Sequence, residues 1–395
     1  MRRIAMVFAG VLVVSSTMPA QTGGQYEAQT EHYRVVSEVG RNHAEQTADR
    51  LEATLEIFND YFHFELDELP DRMRVRIFAS KDEYDTFLRN TIDETREDFI
   101  YLHYGNLARS ELVGYVREDA EYDYSLNHQA FIQYLRSFIA NPPLWLREGF
   151  AVYFEEIEYD PATGQAVYRE NLTWLDTLKS ILDESADADP IPVDELLRMD
   201  VAAARGRLDV FYPQAWGMVS YLLHTDDRDV NRVLWDAVNA LEPNASLREN
   251  VRAVEQEAVR WVEEDRLVEG FLAYLEDRRS FRGLVEDGME LYENEESEAA
   301  EEAFVKALTL RDDNHVPSYY LGLINYDRGN HSLADYYYRQ ARELGAEDAL
   351  IYYALGVNAY AGNRFEDATA YLERTIELDS EEYAEQAREL ISRMD

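Results

Sequence analysis

Residues 125–156 read SLNHQAFIQYLRSFIANPPLWLREGFAVYFEE, and the layout of the chain on either side is read outward from them. Asn141-Pro142-Pro143 ends one helix and starts the next, because Pro is tolerated in a first helical turn but not inside a helix. On the first helix His128 and Ile132 lie one turn apart on the same face, with Gln129 beside them. The second helix brings Glu148 opposite. Gln129 can hydrogen-bond a water but cannot take its proton, and Ile132 can coordinate nothing. Taken singly, His128 reads as a satisfied His on a half-buried helix. Glu148 reads as a helix carboxylate that pairs with an Arg or faces an empty cleft.

Taken together these residues carry a resemblance. In zincin metallopeptidases, His-Glu-x-x-His places two imidazoles on one helix face with the Glu as general base. The same five positions here hold His128, Gln129, Ala130, Phe131 and Ile132. The following run, Pro143-Leu144-Trp145-Leu146-Arg147-Glu148-Gly149-Phe150-Ala151-Val152-Tyr153-Phe154-Glu155, resembles the helix of the peptidase MA-like, gluzincin-type metallopeptidases that supplies a third zinc ligand. Phe211-Tyr212-Pro213-Gln214-Ala215-Trp216 is similar to the helix that follows in that family. The resemblance covers roughly residues 31–276. It implies a zincin-like α+β domain with a vestigial metal site: His128 and Glu148 at ligand positions, Ile132 at the third, Gln129 at the base. Tyr212 is a candidate oxyanion donor, though a core tyrosine is the commoner role. Catalytic zinc takes three protein ligands and a water, so no cofactor is expected. The alternative is an active zinc peptidase with a non-standard metal site, completed by His103 or His224.

Composition narrows the surroundings. Arg2 and Arg3, an apolar run Ile4–Val14 and Ser15–Ala20 read as a secretory signal over residues 1–20, followed by a flexible leader at 21–30. The expected location is therefore periplasmic or secreted. The apolar run is too short to span a bilayer, and the absence of Cys excludes disulfides and a lipid anchor. The formal charge of −41 argues against nucleic acid as a partner. Of 38 basic residues only Lys81, Lys179 and Lys306 are Lys, a balance expected of a protein kept soluble in high salt.

Before the His128 helix, Tyr33–Val39 alternates as an edge strand and Ala44, Ala48, Leu51, Leu55 and Phe58 mark an amphipathic helix. Met73–Phe78 is a strand, Ser80–Glu83 a capping box, and Phe99–Tyr104 and Glu111–Val116 two further strands. In active gluzincins an edge strand pairs with substrate, and Glu111–Val116 is the candidate here. After it, Pro190-Ile191-Pro192 divides a helical region. From residue 281 a second pattern begins. Gly288, Gly322 and Gly356 recur every 34 residues, as do Phe304, Tyr338 and Leu372, and Ala300, Ala334 and Ala368. This resembles three tetratricopeptide repeats over 281–380 with a capping helix at 381–395, an all-α solenoid that implies protein or peptide partners. The whole reads as an exported, peptidase-like but catalytically inactive binding or scaffold protein of the cell envelope.

Overall fold

The computed structural model describes residues 24–117, 120–183, 189–378 and 383–394. The expected signal at 1–20 lies outside them. The described residues form two compact units, one within Met1–Asn171 and Ile191–Leu267, the other within Leu172–Pro190 and Val268–Asp395.

The first unit is α+β. Strands β1 (Tyr26–Gln29), β2 (Tyr33–Ser37), β3 (Met73–Phe78), β4 (Ile100–Leu102) and β5 (Glu111–Tyr115) form one mixed sheet in the order β1-β2-β3-β5-β4. The outer pairs β1–β2 and β4–β5 are antiparallel, and β2–β3 and β3–β5 are parallel. Three sequence expectations change here. Tyr26–Gln29, placed in a flexible leader, is the edge strand β1. A half-exposed edge strand needs no apolar run, so its polar sequence hid it. Tyr33–Val39 is therefore interior, as β2. Glu111–Val116 is interior too, because β4 folds back on it, and the outermost strand on that side is β4. Burial on both faces of β5 encloses Glu111, which is held by Arg74 at 3.3 Å and Arg76 at 3.2 Å.

Helices α1 (Arg41–Phe62), α2 (Lys81–Ile92), α3 (Ala120–Phe138) and α4 (Leu144–Tyr153) accompany the sheet, and β6 (Glu158–Asp160) and β7 (Gln165–Val167) form a separate hairpin. The stripe Ala44, Ala48, Leu51, Leu55 and Phe58 of α1 is buried, as its spacing predicts. Ser80 caps α2 by accepting the Glu83 amide. Rings interlock α1, α3 and α4: Phe58 with Phe131 at 5.3 Å, Phe62 with Phe150 at 4.8 Å, Phe131 with Phe154 at 5.2 Å.

Helix α5 (Thr173–Leu182) belongs with the second unit. The first unit resumes with α6 (Val193–Arg198), α7 (Val201–Ala204), α8 (Leu208–His224), α9 (Arg228–Asn239) and α10 (Leu247–Glu257), and α11 (Glu264–Asp277) spans the division. The carboxamide of Gln214 on α8 clamps the Pro190-Ile191-Pro192 break, accepting the Ile191 amide at 2.7 Å and donating to its carbonyl at 2.9 Å.

The second unit stacks α12 (Phe281–Glu293), α13 (Ser297–Leu310), α14 (His315–Asp327), α15 (His331–Glu343), α16 (Asp348–Ala361), α17 (Phe365–Leu378) and α18 (Ala384–Ser392). Within each of the first three pairs the periodic glycine faces the periodic large residue. A methyl group on Gly288, Gly322 or Gly356 would meet Phe304, Tyr338 or Leu372 at 2.9, 2.4 or 2.7 Å. The 34-residue pattern thus has a steric cause: the ring or Leu fills the space that a missing Cβ leaves. Helix α5 joins this unit through Asp176, which accepts from the Ser280 hydroxyl at 2.8 Å, and Lys179, which donates to the Arg278 carbonyl at 2.6 Å. Neither contact is periodic, so the sequence boundary near 276 gave no sign of it.

Candidate functional site

Helices α3 and α4 meet across the Pro142-Pro143 break and bring His128 and Glu148 together. His128 on α3 lies with Nε2 3.2 Å from Glu148 Oε2 on α4. Its Nδ1 lies 2.8 Å from Glu155 Oε1, just past the end of α4. Carboxylates only accept hydrogen bonds, so the form of the ring that satisfies both is the imidazolium. Burial opposes that charge, but Glu148 and Glu155 outweigh it and raise the ring to about 9. The other oxygen of Glu148, Oε1, accepts from Arg147 Nε at 2.8 Å and Nη2 at 2.5 Å. Burial would push Glu148 up, yet the Arg147 charge and then His128 hold it down to about 2. Asn171 Nδ2 donates to Glu155 Oε2 at 3.2 Å and completes that carboxylate.

The remaining candidates are placed as follows. Gln129 turns toward the sheet, where its Oε1 accepts the backbone amide of Tyr101 on β4 at 3.0 Å. Ile132 is buried, with 7 % exposure. The Tyr212 ring packs edge-on to His128 at 6.2 Å, and its hydroxyl is pushed up by burial and by Glu148. His103 is driven down to about 4 by burial, with Arg136 and Arg147 adding to it. His224 faces the Ser220 carbonyl at 2.8 Å and the Tyr153 hydroxyl at 3.4 Å. Neither His103 nor His224 is bonded to His128 or Glu148.

A separation of 3.2 Å between His128 Nε2 and Glu148 Oε2 would admit an ion between them, but only two protein donors point at that place. The third position is the hydrocarbon of Ile132, Glu155 is turned to the far nitrogen of His128, and a guanidinium sits on Glu148. Among the described residues no group of three or more His, Asp or Glu is arranged to hold a metal. The residues do not fit a three-ligand zinc site. The charge that a dication would bring to Glu148 comes instead from Arg147 and His128.

Residues 125–241 match the model of a family described as a protein of unknown function, DUF1570. No curated protein matches the chain. The matched segment opens at α3 and runs through α4 to the end of α9, so it contains His128, Glu148, Glu155 and Tyr212. No described helix is long and apolar enough to cross a membrane.

Sequence reasoning passed over Glu155 and Arg147 as site residues. Glu155 follows Glu148 by seven residues, the spacing of two helical turns, which was the available signal, although α4 ends at Tyr153 before reaching it. Arg147 gave no such signal, because a residue adjacent on a helix ordinarily points elsewhere. Only the bent reach of its long side chain returns the guanidinium to Glu148.

These shifts fix a pH profile. His128 is raised from its ordinary 6.5, so its contribution is complete below 6.5 and is lost as pH rises through about 9. Glu148 is lowered from 4.5, so its contribution is complete above 4.5 and is lost as pH falls toward about 2. Unfolding free energy of the full chain is expected to be highest near pH 5–6. It should fall between pH 6.5 and 9 by up to about 3 kcal/mol. Urea unfolding of the His128→Gln variant should lose that alkaline slope; an unchanged slope would place the titration elsewhere.

Proposed function

We propose that this is a catalytically silent peptidase-like domain joined to tetratricopeptide-type repeats, working as an exported binding or scaffold component of the cell envelope. The observation that carries the first half is the state of His128. Both its nitrogens are engaged by carboxylates, and Glu148 is neutralised by Arg147. A zinc hydrolase needs those groups open to a metal and a free base beside it. Gln129 cannot serve as that base, and it is tied to the backbone of β4.

The same bond bears on where binding takes place. Tyr101 lies on the outermost strand of the sheet, where an extended peptide could add as a further strand, but it is buried. Gln129 already occupies that amide, which favours the repeats over the strand edge as the peptide-binding surface. The repeat reading is supported by the three glycine-to-large-residue contacts that recur with the 34-residue period. Location outside the cytoplasm rests on the sequence of residues 1–20.

The test is metal content. Mature protein dialysed against micromolar zinc and then against buffer should retain far less than one equivalent by elemental analysis. One tightly held zinc per chain would overturn the silent reading and favour an active peptidase with a non-standard site.

A further inference from the structure

We infer that a recess between α1, the start of α3 and the β6–β7 hairpin binds one neutral pyranose ring. It measures about 210 Å³ and is lined wholly by residues of the first unit. One water needs about 10–15 Å³ and a drug-sized ligand about 300–1,000 Å³, so the space suits a single ring. Helical spacing builds two of its walls. His43, Gln46 and Arg50 lie on one face of α1, at i, i+3 and i+7, and Tyr122 and Leu126 lie one turn apart on α3. Tyr159 on β6 supplies a further wall.

The lining offers a ligand hydrogen bonds but no free charge. Arg50 is paired with Asp123 and reaches Asn127 Oδ1 at 3.4 Å. Burial holds the His43 ring below its ordinary value, so it is neutral at ordinary pH. Ser37, fully buried, accepts the Val39 amide at 3.2 Å, and its own proton goes to His43 Nδ1 at 3.1 Å. A neutral imidazole that accepts at Nδ1 carries its proton on Nε2, which is left as a donor. That nitrogen, the Gln46 carboxamide and the Tyr159 hydroxyl form no hydrogen bond among the described residues. The rest of the lining is flat or apolar: Leu126, the Tyr159 ring, and the Tyr122 ring, which a T-shaped contact with Phe99 fixes at 5.2 Å. A ligand that answers this lining needs apolar faces, a polar rim and no charge. A pyranose has all three, since its C–H faces pack on tyrosine rings and its hydroxyls both donate and accept. A phenyl ring would leave three polar groups without partners, and a charged ligand would find its counter-charge already engaged.

The recess shares no lining residue with the His128 site or the repeats, so it stands whether or not their reading does. Full-length mature protein is titrated by saturation-transfer NMR with the methyl glycosides of glucose, galactose, mannose and N-acetylglucosamine. Methyl glucuronide and cyclohexanol are the charged and the apolar control. At least one neutral glycoside should bind saturably at millimolar concentration, with saturation strongest on the ring C–H protons of one face. Both controls should bind at least about tenfold more weakly. Tyr159→Ala should weaken that glycoside by about tenfold or more, and Tyr159→Phe, which keeps the ring, should weaken it less. Gln46→Ala, at an exposed helix position that leaves the circular dichroism unchanged, should weaken it by about two- to tenfold. A disaccharide of the same sugar binding more tightly would place the source in a glycan chain, and equal binding would place it in a single sugar; both keep the site. No saturable binding of any of the four at millimolar ligand would overturn the inference. So would a control binding as tightly as the best glycoside, or an affinity unchanged by both Tyr159→Ala and Gln46→Ala.

Discussion

Gln129→Glu, Ile132→His and Arg147→Ala combined are expected to bind zinc at least about a hundredfold more tightly than the natural sequence. Structural zinc sites gain about 10–16 kcal/mol from four ligands, on the order of 3 kcal/mol for each, and a factor of ten is about 1.4 kcal/mol. Ile132→His supplies the missing donor on the face that already carries His128, since positions four apart on a helix lie one above the other. Arg147→Ala removes the guanidinium that bonds Glu148 Oε1 at 2.8 and 2.5 Å. Peptidase activity is not expected to follow. A Glu at position 129 can still accept the Tyr101 amide as Gln129 does, and a base held there is turned toward the sheet and away from Glu148. Competition titration with a chromophoric chelator reads the affinity. Equal, weak binding by triple variant and natural protein would mean that the face of α3 and the carboxylate of α4 do not converge on one ion.

The triple variant also separates what was legible in the sequence from what was not. The two helices, their break and the meeting of His128 with Glu148 follow from helical spacing and the Pro142-Pro143 pair, which are local rules. The repeats were legible for a related reason. One steric relation, a glycine under a large side chain, is written three times at a fixed interval. The ion-pair network around His128 was not legible, because its members come from unrelated places. Arg147 is a sequence neighbour that curls back, and Glu155 stands past a helix end. Strand order failed for a similar reason. The runs 99–104 and 111–116 were both read as strands, but which of them lies outside depends on how β4 folds back on β5. Alternation does not record that. Helix α5 shows the same limit at the level of units, since its amphipathic stripe Leu175, Leu178 and Ile181 fixes that it packs and not against what.

Gly149→Val is expected to destabilise the first unit by about 3 kcal/mol or more. Two effects oppose each other. Replacing a helical glycine by alanine favours the helix by about 1 kcal/mol, and a branched residue recovers less of that gain. Against this, a Cβ at position 149 would stand 2.5 Å from the Ala215 carbonyl oxygen and 2.7 Å from Val219 Cγ2 on α8. The carbonyl belongs to helical backbone and cannot swing aside as a side chain could, so α4 and α8 must separate. Overpacking of this kind costs about 1–3 kcal/mol for small insertions and more where backbone must shift. The separation would also draw Tyr212, carried on α8, away from the ring of His128. Gly105 is the control, because a Cβ there meets nothing within 4 Å. At about 2–4 °C per kcal/mol for a domain of this size, thermal unfolding of Gly149→Val should come roughly 6–12 °C early. Gly105→Ala should stay close to wild type. Gly149→Ala should fall between the two, its clash set against its helix gain. A Gly149→Val protein with unchanged melting would mean that α4 and α8 do not approach this closely, and that the wall of the His128 site is built differently.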